Sequence, residues 1–164
     1  MKKAEKAALA FWILAGLWML IIFCFSAQTG GESSRLSDAV AGALQGGASK
    51  DNGLIWLIRK SAHFIEYFLL GGLLFSAFYL TGRDKKEKPF LYAAAAGILY
   101  AALDEWHQAF VPGRSARVAD VVLDGAGVLC GAALALICWF FWQKRRKKGR
   151  NAETVRGENN GKRL

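Results

Sequence analysis

One stretch decides how this chain folds: residues 90–110, which read FLYAAAAGILYAALDEWHQAF. Only 14 residues, Phe90 to Leu103, precede the first charged position, and a helix of that length is about 21 Å long. Because the hydrocarbon core of a membrane is about 30 Å thick, the helix can cross it only by continuing through Asp104 and Glu105. The sequence therefore predicts a central helix that carries ionisable side chains into one side of a membrane.

The composition is that of a polytopic membrane protein. The 164 residues are 54% hydrophobic and include 18 glycines, which is too apolar for an ordinary soluble domain. About 20 apolar residues are needed to span a membrane. Four runs meet that length, at residues 7–26, 61–81, 90–110 and 118–142. We therefore expect an all-α fold, a polytopic membrane bundle of four transmembrane helices.

A short additional helix is predicted in the first outer loop. Leu36, Val40 and Leu44 recur there at helical spacing and form one apolar stripe. Such a stripe is typical of a helix that lies in the membrane interface. Ser33 or Ser34 is the expected N-cap of this helix, because serine side chains accept hydrogen bonds from free backbone N–H groups.

The basic residues set the expected orientation. The net charge is +9, and 16 of the 22 Lys and Arg residues lie before the first span, in the 83–88 loop or after residue 142. By the positive-inside rule these segments and both termini are cytoplasmic, so the 104–108 end of the central helix faces outward. This distribution explains the charge without a nucleic-acid partner. Residues 1–142 then form the transmembrane domain, and residues 143–164 are expected to be a basic, disordered cytoplasmic tail.

Carboxylates on three predicted helices lie at one depth. Counting about 1.5 Å per residue from the outer helix ends places Glu66, Asp104 and Asp124 about 8 to 9 Å below the outer surface. A charge that faces lipid costs on the order of 3 kcal/mol, so these groups should face one another or a wet cavity. Other polar residues are expected slightly shallower or at the mouth of that pocket: His63, Glu105, His107, Gln108, Arg114, Arg117 and Asp120.

Several of these residues also have a structural explanation. His63 and Glu66 share a helix face and could form a hydrogen bond that only fixes packing. Asp120 suits the first turn of a helix, where the dipole favours anions, and arginines near a helix end often snorkel to the interface. Asp104 and Glu105 lie near a helix C-terminus, where negative charge is disfavoured, so chemistry or a divalent cation explains them better.

A divalent cation is one hypothesis for the acidic residues. Oxygen-rich sites suit Mg²⁺, Mn²⁺ or Ca²⁺, although no spacing in this sequence is a recognised metal motif. The expected ligands are Asp104, Asp120 and Asp124.

Four motifs carry a family resemblance: KSAHFIEY at 60–67, DEWHQ at 104–108, PGR at 112–114, and Asp120 with the glycine-rich helix after it. They resemble the VanZ-like family of small bacterial membrane proteins over roughly residues 10–140. FSAQ at residues 25–28 is similar to the Ser-Ser-Gln motif that opens the family, with alanine in place of one serine. An aspartate, Asp124, stands where many relatives have an amide or hydroxyl residue.

The resemblance implies lipid chemistry in the bacterial plasma membrane. The founding member of the family is associated with resistance to the glycopeptide antibiotic teicoplanin. The family has also been grouped with lipid head-group exchange enzymes. An outward-facing active site for a phospholipid or a polyprenyl phosphate is therefore what the resemblance implies for this chain.

Together these observations predict a pocket that acts on lipid phosphate head groups at the outer leaflet, as a phosphotransferase or a hydrolase. The alternative is a non-enzymatic membrane protein that gives glycopeptide resistance, or a lipid or solute carrier. The expected catalytic residues are His63, Glu66, Asp104, Glu105, His107 and Asp120. The expected substrate-binding residues are Gln28, Lys60, Tyr67, Gln108, Arg114 and Arg117.

Overall fold

The computed structural model describes residues 3–45, 52–82 and 88–161, and these ranges contain five α-helices. The helices are α1 (Lys3–Ser26), α2 (Gly30–Gln45), α3 (Asn52–Thr81), α4 (Pro89–Gln108) and α5 (Val118–Gly161). No strand occurs within these ranges, so the expected all-α class is confirmed. Residues 83–87 of the basic loop and the side chain of Leu44 lie outside the described residues.

Three helices are long and apolar enough to cross a membrane: Lys3–Ser26, Asn52–Thr81 and the Val118–Lys148 part of α5. Large apolar side chains remain exposed on them, such as Leu17 on α1 and Ile65 on α3, as expected of surfaces that face lipid. α4 has 20 residues, but two carboxylates near its C-terminal end make it less apolar. The chain is therefore a membrane protein by its helices, and the fourth span stays a prediction.

α3, rather than the expected α4, is the central helix, because it packs against each of the other four. Glycines bring α3 and α5 into backbone contact. A methyl group on Gly71 would overlap the carbonyl of Val128, and one on Gly131 would overlap the carbonyl of Phe68. Small residues at such positions let two membrane helices approach closely. The α3–α5 contact thus fixes the relative height of the polar side chains on these two helices.

α1 is attached to its neighbours by hydrogen bonds to main-chain carbonyls. Trp18 Nε1 donates to the carbonyl of Glu66 at 2.9 Å, and the Tyr100 hydroxyl donates to the carbonyl of Met19 at 2.6 Å. The core around them joins α1, α3, α4 and α5 into one bundle. It comprises Ala15, Ile22, Tyr67, Leu70, Leu74, Phe75, Ala93, Ala101, Val128 and Ala132.

α2 begins at Gly30, and its cap is Thr29 rather than Ser33 or Ser34. The Thr29 backbone N–H donates to Glu32 Oε2 at 2.9 Å, and the Glu32 N–H donates back to Thr29 Oγ1 at 3.4 Å, which is a capping box. The hydrogen bond from the Thr29 backbone N–H lowers the pKa of the exposed Glu32 carboxyl most, and the hydrogen bond from the Thr29 hydroxyl lowers it further. The expected cap was wrong because two glycines in the first turn suggested that the helix begins after them. The reciprocal hydrogen bonds between Thr29 and Glu32 stabilise the helix start in spite of these glycines.

The start of α2 crosses the turn between α4 and α5 at close range. The Gly30 N–H donates to the Pro112 carbonyl at 3.1 Å, and a methyl group on Gly30 would overlap the Gly113 carbonyl. Gly113 has a φ of 76°, a left-handed conformation that side chains other than hydrogen disfavour. This crossing fixes the turn that carries Arg114.

α5 remains helical to Gly161, well past residue 142, where the apolar run ends. Residues 143–161 contain no proline and are rich in Lys, Arg and Glu, which favour helix. Extending an existing helix needs no new nucleation, which accounts for the helical course to Gly161, while the expected disorder of residues 143–164 stays a prediction. Their role as a separate cytoplasmic tail stays a prediction.

Candidate functional site

A cavity of about 270 Å³ opens between α2, α3 and the turn before α5. Part of its lining is apolar and includes Leu36 and Val40 of α2 and Ile58 of α3. The rest is polar and consists of Gln28, Ser33, Ser37, Arg59, His63, Glu66 and Arg114. A cavity with both kinds of lining suits a ligand that has an apolar part and a polar head. We call it the first cavity.

A second cavity of about 170 Å³ adjoins the first, because Arg59, His63 and Arg114 line both. We call these three residues the shared wall. The remaining lining residues of the second cavity are Trp56, Lys60, Gln108, Gly113, Ser115, Arg117 and Asp120. Most of them are polar or charged, so the second cavity is the more hydrophilic of the two.

The shared wall contains buried polar atoms without partners. Arg59 Nη2 donates to Ser34 Oγ at 2.9 Å, but Nε of the same guanidinium is buried and has no hydrogen-bond partner among the described residues. His63 Nδ1 is buried and equally unpartnered there, since Glu66 Oε2 is 3.9 Å away, beyond hydrogen-bond range. Because buried polar atoms are rarely left without a partner, a water or a ligand at the shared wall would satisfy these two atoms.

Gln108 connects the interior of α4 to Arg114. Its Nε2 donates to Asp104 Oδ2 at 3.1 Å, while its Oε1 accepts from Arg114 Nε at 3.1 Å and also from Arg114 Nη2. Burial lowers the pKa of Arg114, and the positive charge of Arg59 lowers it further, although an arginine stays protonated at neutral pH. Two guanidinium groups that repel each other therefore line both cavities, an arrangement that an anion would stabilise.

Two contacts hold the start of α5 against α3 and α4. Lys60 forms an ion pair with Asp120, and both side chains are partly exposed toward the second cavity. Glu105, which is buried, accepts a hydrogen bond at Oε1 from the Arg117 backbone N–H at 2.6 Å. Three residues with predicted site roles thus make structural contacts here, whereas the Arg117 side chain is left to line the second cavity.

Three of the predicted site residues form an interior cluster that lines neither cavity: Tyr67, Asp104 and Asp124. Their exposed fractions are 0%, 4% and 1%. The Tyr67 hydroxyl, Asp104 Oδ1 and Asp124 Oδ1 have no hydrogen-bond partner in the described part of the chain. Both carboxylates act electrostatically on the Tyr67 hydroxyl, so α3, α4 and α5 each contribute one side chain to this cluster.

The three predicted metal ligands are not brought together. Asp120 pairs with Lys60 at the second cavity, while Asp104 and Asp124 lie in the interior. Across residues 3–45, 52–82 and 88–161, no group of three or more His, Cys, Asp or Glu side chains is arranged to hold a metal ion. Helical periodicity puts Asp120 and Asp124 on one face of α5. Asp124 is buried against α3 and α4, whereas Asp120 remains partly exposed.

His107 lies apart from the other predicted catalytic residues. It lines neither cavity, and its ring packs on Phe23 of α1 with the ring centroids 4.8 Å apart. Its Nδ1 is buried and has no partner in the ranges that the structure describes. Depth alone grouped His107 with His63, whereas its direction on α4 turns it toward α1.

Arg59 is a site residue that the sequence did not single out. Arg59 precedes the apolar run of the second span, so it was not grouped with the polar residues inside that span. It nevertheless lies one helical turn before His63 and therefore on the same face of α3 as His63. That i, i+4 spacing was the available signal. Of the predicted substrate-binding residues, Gln28 lines the first cavity, and Lys60, Gln108 and Arg117 line the second.

Comparison with known proteins identifies one protein family. A family model described as VanZ/LLP1 matches residues 11–141 of the chain. No curated protein and no solved structure was found to match it. The matched range includes all the residues that line the two cavities.

Proposed function

The chain belongs to the VanZ/LLP1 family, and from this membership and the two adjoining cavities we propose that it acts on lipid phosphate head groups. The reaction is transfer or hydrolysis at a phosphoester linkage. The observation that carries the proposal is the shared wall, where the guanidinium groups of Arg59 and Arg114 and the imidazole of His63 face both cavities. Guanidinium groups match phosphate oxygens in both charge and geometry.

The first cavity suits the lipid itself. Leu36 and Val40 of α2 and Ile58 of α3 give it an apolar lining that accommodates the glycerol and the start of the acyl or prenyl chains. The phosphate then lies at the shared wall, where Arg59 Nε lacks a protein partner. A phosphate oxygen bound there satisfies this donor and separates the two repelling guanidinium groups.

His63 is the proposed acid–base group. It takes a proton from the attacking hydroxyl or water as the oxygen of that group forms a bond to phosphorus. The bond between phosphorus and the departing oxygen breaks, and the departing oxygen receives that proton from His63. Glu66 lies on the same face of α3, with its Oε2 3.9 Å from His63 Nδ1, so a small movement of its side chain brings the carboxylate within hydrogen-bond range of the imidazole.

The proposed topology has four transmembrane helices, with both termini in the cytoplasm and the cavities open to the outside of the bacterial plasma membrane. α4 supports this because its 20 residues are about 30 Å long, enough to cross the hydrocarbon core. A cysteine introduced at the exposed Ser115 should react with an impermeant maleimide in intact cells. Reaction only after the cells are permeabilised would reverse the orientation.

The reaction is tested with the purified full-length protein in a phosphate-free maltoside detergent. Labelled phospholipids and polyprenyl phosphates are added, and the products are separated by chromatography. Wild type should alter the head group of at least one of them. His63→Asn should slow that reaction about 10²–10⁴-fold, the usual contribution of a general acid–base group. Arg59→Gln should weaken lipid binding about tenfold or more, because a charge-assisted hydrogen bond contributes about 1.5–3 kcal/mol.

Arg35→Gln is the matched control for Arg59→Gln. Arg35 is an exposed arginine on α2 that lines neither cavity, so its loss should leave the rate unchanged. A wild type that alters no lipid but moves labelled lipid between the leaflets of a vesicle would establish a carrier instead. A wild type that does neither, yet protects cells from a glycopeptide antibiotic, would establish a non-enzymatic resistance protein.

A further inference from the structure

The second cavity differs from the first in charge. Four basic side chains line it: Arg59, Lys60, Arg114 and Arg117. One acidic side chain, Asp120, lines it as well, but this carboxylate is already paired with Lys60. Arg59, Arg114 and Arg117 are therefore left without a carboxylate in the lining, although Asp104, Glu105 and Glu66 act electrostatically on Arg114 from outside it. The positive charge that remains in the lining attracts a small anion.

The second cavity also differs from the first in polarity. Its one large apolar lining residue is Trp56, which is 57% exposed, whereas α2 contributes no residue to its lining. It therefore offers little apolar surface for a lipid chain. Its volume of about 170 Å³ is smaller than that of the first cavity, about 270 Å³, which suits a head group rather than a whole lipid.

We propose that the second cavity is a separate subsite for a small, water-soluble phosphate monoester, the free form of a lipid head group. It lies across the shared wall from the lipid phosphate, so Arg59, His63 and Arg114 contact both ligands. This inference rests on the proposed function for the identity of the first ligand. It adds that the protein handles two substrates at once, a membrane lipid on one side of His63 and a soluble head group on the other.

Arg117 is the residue that recognises this second ligand. Its backbone N–H is held by Glu105 Oε1 at 2.6 Å, so the start of α5 stays in place whatever side chain position 117 carries. The side chain itself is exposed and lines only the second cavity. Arg117→Gln therefore removes one guanidinium from the second subsite without removing a contact that the fold requires.

Val40 provides the opposite variant. Its side chain lines only the first cavity and is 42% exposed, so Val40→Trp fills part of that cavity without disturbing the core. The two substitutions separate the two subsites. Their effects on a lipid and on a soluble phosphate should be opposite.

The test measures binding of glycerol 3-phosphate to the purified full-length protein by calorimetry, in the same phosphate-free detergent, with glycerol as the uncharged control ligand. Wild type should bind glycerol 3-phosphate saturably and not bind glycerol. Arg117→Gln should weaken this binding about tenfold or more while lipid binding persists, since one charge-assisted contact is lost. Val40→Trp should weaken lipid binding while glycerol 3-phosphate still binds.

Three results would overturn the inference: no saturable binding of glycerol 3-phosphate, equal binding of glycerol, or unchanged affinity in Arg117→Gln. If lipid binding by wild type remains in these cases, the proposed function survives without a second subsite. If glycerol 3-phosphate binds as expected but no lipid does, the soluble subsite stands and the proposed function fails.

Discussion

A backbone contact between α3 and α5 gives a prediction whose size follows from the structure. Gly131 of α5 lies against the main chain of Phe68 on α3, and Gly131→Ala adds a methyl group at that point. The new carbon would be 2.7 Å from the Phe68 carbonyl carbon and 3.1 Å from the Gly72 nitrogen. Because these are backbone atoms, no side chain can rotate away, and the helices themselves must separate.

The required separation exceeds about 0.7 Å, the difference between 2.7 Å and the 3.4 Å at which ordinary contact begins, because the methyl carbon overlaps the Phe68 carbonyl oxygen more deeply than the carbonyl carbon. A gap of about 0.5–1 Å removes about a quarter to a half of the dispersion attraction between facing atoms. Overpacking of this kind costs about 1–3 kcal/mol of unfolding free energy. Because no side chain can move aside at this contact, we expect a cost of about 3 kcal/mol for Gly131→Ala. Alanine restores about 1 kcal/mol through its helix propensity, so we expect a net loss of about 2 kcal/mol.

Gly16→Ala is the matched control. Gly16 lies within α1, and an added methyl group there meets no atom within 4 Å. This variant should therefore keep the gain in helix propensity, about 1 kcal/mol, without the overlap. Reversible unfolding in mixed micelles, with sodium dodecyl sulfate as the denaturant, measures both variants against wild type.

The two variants should differ by about 3 kcal/mol, the sum of the expected loss and the expected gain. If Gly131→Ala proves as stable as Gly16→Ala, the backbones of α3 and α5 are not in contact and the packing described here is wrong.

Three more variants test the polar residues. Gln108→Leu removes the hydrogen-bond partner of both Arg114 and Asp104, so the free energy of unfolding should fall by at least about 2 kcal/mol in the same titration. A variant as stable as wild type would contradict the two hydrogen bonds of Gln108. Hydrogen bonds from Thr29, first from its backbone N–H, lower the pKa of Glu32. The ionised carboxylate therefore stabilises α2 fully above the ordinary pKa of 4.5, and this stabilisation is lost as the pH falls through the lowered pKa. Amide hydrogen exchange in the first turn of α2 should become faster over that pH range in wild type and not in Glu32→Gln. Asp124→Asn replaces a buried carboxylate that has an unpartnered oxygen, so the free energy of unfolding should rise by about 1 kcal/mol. A fall in that free energy would mean that the carboxylate has a partner.

The helices could be predicted because their sequence signals are long and unambiguous. The length argument for residues 90–110 correctly required the helix to include Asp104 and Glu105, and α4 continues past both to Gln108. The expected start of the last helix near residue 118 also agrees with α5. Start signals in short segments were weaker, and Thr29 was not recognised as a cap because the glycines after it resemble a turn.

The composition of the site could be predicted more easily than its arrangement. Helical spacing correctly placed His63 and Glu66 on one face, and it also held the unused signal for Arg59. Spacing and depth do not specify which neighbouring helix a side chain meets. For this reason His107 was grouped with the cavity although it packs on α1, and Asp124 was grouped with Asp120 although only Asp120 reaches a cavity.

The bond from Trp18 to Glu66 separates two effects that mutagenesis usually mixes. Trp18 Nε1 bonds to the carbonyl of Glu66, which every amino acid carries, so replacing the Glu66 side chain leaves the attachment of α1 intact. Loss of activity in Glu66→Gln would therefore report the chemistry of the carboxylate rather than a displaced helix. Trp18→Phe provides the converse, since it removes this one bond between α1 and α3 while the carboxylate remains, and comparing the two assigns each effect to its own atom.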